Sequence, residues 1–253
     1  MKIYEITFSP TGGTKRVADF LSNELSRDIT DIDLSNGNED LNKYSLTNED
    51  TVLIAVPSYS GRVPSTAAER IAKIQGNGAK AIIVCVYGNR AYEDTLVELQ
   101  DIVQQAGFIV ISAIAAIAEH SLAHRYATNR PDKDDYRHLR VFAEQVGDKL
   151  RRNDFSTPTI PGNRPYRKAA NAGIVPKATK ACTQCGLCAS KCPVGAIDKN
   201  NPEKVNKKAC ISCMRCVTVC PHHARKVNGL LLAIVNMMLK KACSIRKECE
   251  LYI

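Results

Sequence analysis

Between residues 1 and 152, short apolar runs alternate with stretches whose apolar positions recur at helical spacing. Lys2 to Phe8, Ile29 to Asp33, Thr51 to Pro57, Ala79 to Tyr87 and Phe108 to Ala116 read as strands, and Gly13 to Ser26, Ser65 to Ile74, Tyr92 to Ala106 and Asp132 to Arg152 as helices. Strands and helices in alternation predict an α/β domain over 1–152: a doubly wound, five-stranded parallel sheet covered on both faces, with ligands beyond the carboxyl ends of the strands. The pattern then stops. Asn153 to Lys177 is rich in Pro, Gly and Asn without periodicity and reads as a linker. The next segment, 178–228, is set apart by its cysteines. The tail, 229–253, contains an amphipathic stretch, Leu230 to Lys241, expected to form a helix packed on one of the domains.

Cysteine changes this picture most. The chain has 11, and ten of them lie after residue 180. Met1 to Pro10 enters a strand-like run directly, without an export signal, so the expected location is cytoplasmic and the thiols point to metal or redox chemistry rather than disulfides. The longest apolar run, Gly229 to Leu239, falls short of the ~20 residues of a spanning helix, so no membrane span is expected.

Charge divides the chain as sharply. Residues 1–152 hold 18 Lys and Arg against 21 Asp and Glu, a net −3, and residues 153–253 hold 17 against 5, a net +12. Basicity of this kind suits nucleic acid, but the basic half has almost no aromatic residues to stack on bases. An acidic redox protein of unknown identity is the better-matched partner.

The cysteine spacing supplies the chemistry. Cys182-x-x-Cys185-x-x-Cys188-x-x-x-Cys192-Pro193 is repeated 28 residues later by Cys210-x-x-Cys213-x-x-Cys216-x-x-x-Cys220-Pro221. In such runs the first three thiolates hold one 4Fe-4S cluster and the fourth reaches to the other. Two clusters are therefore expected, one on Cys182, Cys185, Cys188 and Cys220, the other on Cys210, Cys213, Cys216 and Cys192. Each oxidised cluster with its thiolates carries about −2, which removes roughly four of the formal positive charges. Zinc ribbons also use C-x-x-C pairs, but two Cys per knuckle rather than four in close order. Over 177–228 the sequence resembles the two-cluster bacterial-type ferredoxins, and the resemblance implies a small, compact α+β domain over 178–228. Its halves differ after the fourth Cys: Val194-Gly195-Ala196-Ile197 in one, His222-His223-Ala224-Arg225 in the other.

Three turns follow strands of the first domain. Ser9-Pro10-Thr11-Gly12-Gly13-Thr14 opens the first helix, and its hydroxyls and bare amides can cradle a dianionic phosphate; it can equally be a capped helix start. It matches neither a P-loop nor G-x-G-x-x-G. Ser58-Tyr59-Ser60-Gly61-Arg62 and Tyr87-Gly88-Asn89-Arg90-Ala91-Tyr92 end the third and fourth strands. With these turns, residues 1–150 resemble flavodoxins, and the whole chain resembles the flavodoxin-ferredoxin fusion proteins common in anaerobes. The resemblance implies FMN, with Ser9, Thr11, Gly12, Gly13 and Thr14 on its phosphate and Ser58, Tyr59, Gly61, Tyr87, Gly88, Asn89 and Tyr92 around its ring. Tyr59 would stack on the ring. Flavodoxins are acidic near the flavin, whereas this chain brings Arg62 and Arg90 to the loops.

The resulting expectation is an electron-transfer protein relaying electrons between FMN and two 4Fe-4S clusters, with residues that hold cofactors and none that act as catalytic acid or base. An FMN-dependent oxidoreductase that reduces a small molecule is the alternative. His120 is expected near the flavin, Cys85 as a buried apolar side chain, and Cys243 and Cys249 as free thiols.

Overall fold

The computed structural model describes all 253 residues. Its main sheet is built from β1 (Lys2–Thr7), β2 (Asp28–Asp33), β3 (Thr51–Pro57), β4 (Lys80–Tyr87) and β5 (Ile109–Ile117), paired in parallel in the order 2-1-3-4-5. That is the flavodoxin-like order of doubly wound domains, with its switch point between β1 and β3. The central strands are apolar throughout because both of their faces are covered: residues 52–56 and 81–85 are fully buried.

Helices α1 (Gly13–Leu25) and α4 (Lys133–Arg151) pack together against the sheet, Phe20 and Tyr136 meeting with ring centroids 4.7 Å apart. Helices α2 (Ser65–Ile71) and α3 (Thr95–Gln105) pack against each other as a second pair. Asp132 starts α4 through a capping box with Asp135. The α3 helix begins at Thr95, three residues later than its periodicity suggests, since Glu93 takes a left-handed conformation (φ 46) in the preceding loop.

Two features of the C-terminal half were not evident from the pattern. The linker is strapped along α3: the Asp94 carboxylate accepts from Asn163 N and Nδ2 at 2.9 Å and from Arg167 N at 2.7 Å, while Arg164 and Tyr166 bond Asp101. Burial works to raise the Asp94 carboxyl, and the N–H bonds of Arg167 and Asn163 outweigh it, holding it below the ordinary carboxylate range. The tail returns to the first domain and adds a sixth strand, β8 (Glu250–Tyr252), antiparallel to β5.

The short pairs β6 (Lys177–Ala178) with β7 (Arg225–Lys226), and α5 (Leu187–Ser190) with α6 (Arg215–Thr218), close the cysteine-rich segment into a unit with internal symmetry. Helix α7 (Gly229–Cys243) then leads to the tail. It packs less than its amphipathic pattern suggests: Cys243 is its only buried residue, and Leu230, Met237 and Met238 are exposed. No helix of the chain is long and apolar enough to cross a membrane.

Candidate functional site

The turn between β1 and α1 lies at the switch point of the sheet. Gly12 sits there at φ +88 with open space beside its α-carbon, and the N–H groups of Thr11, Gly12, Gly13 and Thr14 have no acceptor within the chain. Ser9 Oγ accepts from Lys15 N at 2.8 Å, and Ser35 Oγ accepts from Ser9 N at 2.7 Å, so the turn is held from both ends. Lys15 turns away to Glu5, Asp19 and Asp31. What remains is a nest of bare amides at a helix N-terminus, which suits a phosphate dianion without a lysine.

The second turn is a tight reversal: Tyr59 and Arg62 exchange both backbone hydrogen bonds, at 3.0 and 3.1 Å, with Ser60 and Gly61 at φ 54 and 78. Two left-handed residues in succession make this a primed turn, stiff enough to hold Tyr59 in place. A Cβ on Gly61 would run into the Glu93 side chain, and the Gly61 carbonyl accepts from Asp94 N at 3.2 Å. Ser58 Oγ is 2.7 Å from Thr95 Oγ1. Arg62 and Arg90 are not free cations beside these loops: Arg62 forms a two-pronged pair with Glu98, at 2.7 Å for each contact, and Arg90 pairs with Glu93 at 2.6 Å.

The third turn is engaged by the C-terminal tail. The Asn89 side chain donates to Cys243 O and Ile245 O at 2.9 Å and accepts from Lys247 N at 3.0 Å, and Tyr92 OH reaches Glu250 at 2.7 Å and Tyr252 OH at 2.8 Å. Both residues therefore fasten the tail to the loop. Tyr87 packs edge-on against Tyr92 with centroids 5.3 Å apart. His120 lies against Gly88, where a Cβ would come within 2.7 Å of it, and its Nδ1 accepts from Leu122 N and Ala123 N at 3.2 Å. Of the remaining residues singled out in the second and third turns, Ser58 and Tyr59 are half-buried, whereas Tyr87 is buried and Gly88 is packed on His120.

The eight cysteines form two pockets. Cys182, Cys185, Cys188 and Cys220 line one, and Cys192, Cys210, Cys213 and Cys216 line the other. Each quartet thus joins three cysteines of one repeat to the fourth of its twin, and each surrounds a cavity rather than a point. No three His, Cys, Asp or Glu side chains converge on a single-ion site. Residues Gln184, Gly186, Ser212 and Met214 take left-handed backbones where the ligand loops bend around the cavities, and Gly186 has open space beside it. Ala196 N donates to Cys192 Sγ, and Ala224 N to Cys220 Sγ, at 3.3 Å in both halves.

One of the two pockets abuts the first domain. Arg215, between Cys213 and Cys216, places Nη1 3.4 Å from Ser9 O and Nη2 3.8 Å from Asp33, while its buried Nε has no partner. Arg70 donates to Pro193 O at 2.6 Å and also to Leu34 O. Ile211 packs on the core of the first domain. Burial first, and then the Cys213 thiol nearby, push the Tyr59 phenol well above its ordinary value. The contacts of Arg215 with Ser9 and of Arg70 with Pro193 were not foreseeable from spacing, because the partners lie 206 and 123 residues apart in the chain.

Residues 181–225 match the model of the 4Fe-4S dicluster domain family. Among solved structures, a flavodoxin from the domain Archaea aligns at 13% identity over 60% of this chain and 99% of its own, with a TM-score of 0.44. A Streptococcus pneumonia TIGR4 flavodoxin aligns at 20% identity over 58% of this chain and 99% of its own (TM-score 0.43). The rubredoxin oxygen:oxidoreductase of Desulfovibrio gigas aligns at 13% identity over 60% of this chain and 36% of its own (TM-score 0.43). No curated protein matches the sequence.

Proposed function

We propose that this chain, a flavodoxin-like sheet joined to a 4Fe-4S dicluster domain, is an electron-transfer protein that carries FMN and two clusters as members of one relay. The dicluster segment already marks a redox role. Bound FMN supplies two-electron chemistry that can be passed on singly, and bound clusters supply one-electron steps.

The observation that carries the reading is that the Cys192–Cys210–Cys213–Cys216 pocket meets the first domain at the turn proposed for the FMN phosphate, through Arg215 Nη1 3.4 Å from Ser9 O, with Arg70 of α2 donating to Pro193 O on the same side of the cluster segment. In this reading the four bare amides of Thr11 to Thr14, with the Ser9 hydroxyl anchoring the turn, hold the phosphate, and Tyr59 covers the ring. Only a terminal phosphate is catered for, which favours FMN over FAD. Arg215 adds a positive charge at the mouth of the phosphate turn from the cluster-bearing side.

The pocket of Cys192, Cys210, Cys213 and Cys216 is then proximal to the flavin, and that of Cys182, Cys185, Cys188 and Cys220 is distal. Cys185 is exposed, so the distal pocket opens to solvent and offers a redox partner its point of approach. The basic half around it, net +12 before clusters are counted, suits an acidic partner surface. We assign residues 1–152 to the flavin domain, 153–177 to the linker, 178–228 to the cluster domain and 229–253 to the helix and tail.

Anaerobic purification with iron, sulfide and flavin analysis tests this. About eight iron, about eight acid-labile sulfide and about one FMN per chain are expected. About four iron, zinc in place of iron, or a chain without flavin would refute it.

A further inference from the structure

The two cluster pockets are related by the 28-residue repeat, and most of their surroundings repeat with them. The backbone N–H bonds to Cys192 and Cys220 are equal in length and equivalent in position, so they stabilise the two sites alike. Two pairs of equivalent positions in the pocket linings exchange an apolar residue for an arginine. At one, Leu187 lines the distal pocket and Arg215 the proximal one, where Arg215 is turned to Ser9 O at 3.4 Å and has Asp33 3.8 Å away as a counter-ion. At the other, Ile197 lines the proximal pocket and is buried against Cys188 and Ala189. Its counterpart, 28 residues on, is Arg225.

Arg225 is 2% exposed, and no carboxylate forms a salt bridge with it. Its guanidinium bonds Pro176 O at 3.3 Å, Pro202 O, and Cys188 Sγ at 3.6 Å, and its buried Nε has no partner in the chain. A buried cation without a counter-ion is costly unless negative charge stands beside it. The distal quartet, whose pocket Arg225 lines, supplies that charge when loaded. Val194, Ile197, Val205 and Ile211 line the proximal pocket, and its one cation, Arg215, is shared with Asp33 and Ser9 O of the first domain, whereas Arg225 has no carboxylate and bonds a ligand sulfur.

We propose that Arg225 sets the distal cluster, held by Cys182, Cys185, Cys188 and Cys220, at a higher reduction potential than the proximal one, so that an electron shared by the pair settles distally. Reduction adds one negative charge to a cluster. A neighbouring cation and solvent access favour that charge, whereas an apolar enclosure opposes it. The one ligand sulfur that the Arg225 guanidinium bonds is that of Cys188, in the distal quartet, so its charge acts most strongly there. The exchange is a one-electron step without proton or bond change: the proximal cluster is oxidised as the distal one is reduced. The inference rests on the dicluster reading and does not require FMN.

The test is an anaerobic potentiometric titration followed by electron paramagnetic resonance, on the wild type, Arg225→Gln and Arg225→Lys. The signals are assigned with Cys185→Ser and Cys213→Ser, each of which alters one site. In the wild type the distal signal should appear first as the potential falls. Arg225→Gln should move the electron partition toward the proximal cluster at least tenfold, about 59 mV for a one-electron couple, and Arg225→Lys should keep most of the wild-type gap. Proximal reduction before distal in the wild type would overturn the proposal whatever the variants do, as would an unchanged gap in Arg225→Gln with about eight iron retained. About four iron in the wild type would instead refute the dicluster reading beneath it.

Discussion

Burial, followed by the charges of His124 and Arg90, lowers His120 to about 4, so the ring packed on Gly88 is neutral near pH 7. An unfolded chain returns it to about 6.5 and takes up its proton first as the pH falls. His120 thus supports the fold fully above about pH 6.5, and its support is lost between there and about pH 4, worth up to about 3 kcal/mol. Denaturant unfolding of the wild type and His120→Gln at pH 7 and pH 5 checks this: the variant should lose less stability across the interval, and parallel losses would contradict it. Cys220 makes a sharper residue-level case. If it belongs with Cys182, Cys185 and Cys188, as the pockets place it, Cys220→Ser should damage that cluster and spare the one held by its sequence neighbours. Equal loss of both signals in resolved spectra would count against crossed ligation. At this scale the sequence was readable where chemistry is local. A repeat of four cysteines announces itself, and so does a Gly-Gly turn before a helix. Asn89 and Arg225 were unreadable because their roles depend on groups up to about 160 residues away, Lys247 for the first, or on the burial of a single charge for the second.

Elements were legible in proportion to their length and periodicity. The five parallel strands and four helices of the first domain stand where apolar runs and 3.6-residue spacing put them, with small shifts at the ends. Strand β8 escaped notice because three residues carry no usable alternation, and it exists only through pairing with the exposed edge of β5. Its attachment is a network of polar contacts: Asn89 to the backbone at 243, 245 and 247, Arg130 to Lys247 O at 2.8 Å, and Arg246 to Asp132 at 2.7 Å. Asn89 is buried, so removing its amide leaves several backbone groups without partners. Asn89→Ala should cost about 2–4 kcal/mol and release the tail before the rest of the domain. Hydrogen exchange at residues 245–252 should rise in the variant, and unchanged protection there would show that the tail is held otherwise.

For the whole molecule, the central claim is that the sheet and the cluster domain form one redox unit rather than two tethered ones. Opposite net charges, −3 and +12 by formal count, favour their association, and a linker strapped along α3 narrows the positions available to the second half. A tether of about 25 residues alone would give a millimolar-scale effective concentration; the contacts of Arg215 with Ser9 and of Arg70 with Pro193 add a defined orientation. The most direct measurement is flash photoreduction of the clusters in the anaerobic holoprotein, following the flavin absorbance over a tenfold range of protein concentration. A first-order rate that does not change with concentration is the expected result, since the proximal pocket and the flavin turns belong to one chain. A rate proportional to protein concentration would contradict it and place the exchange between molecules.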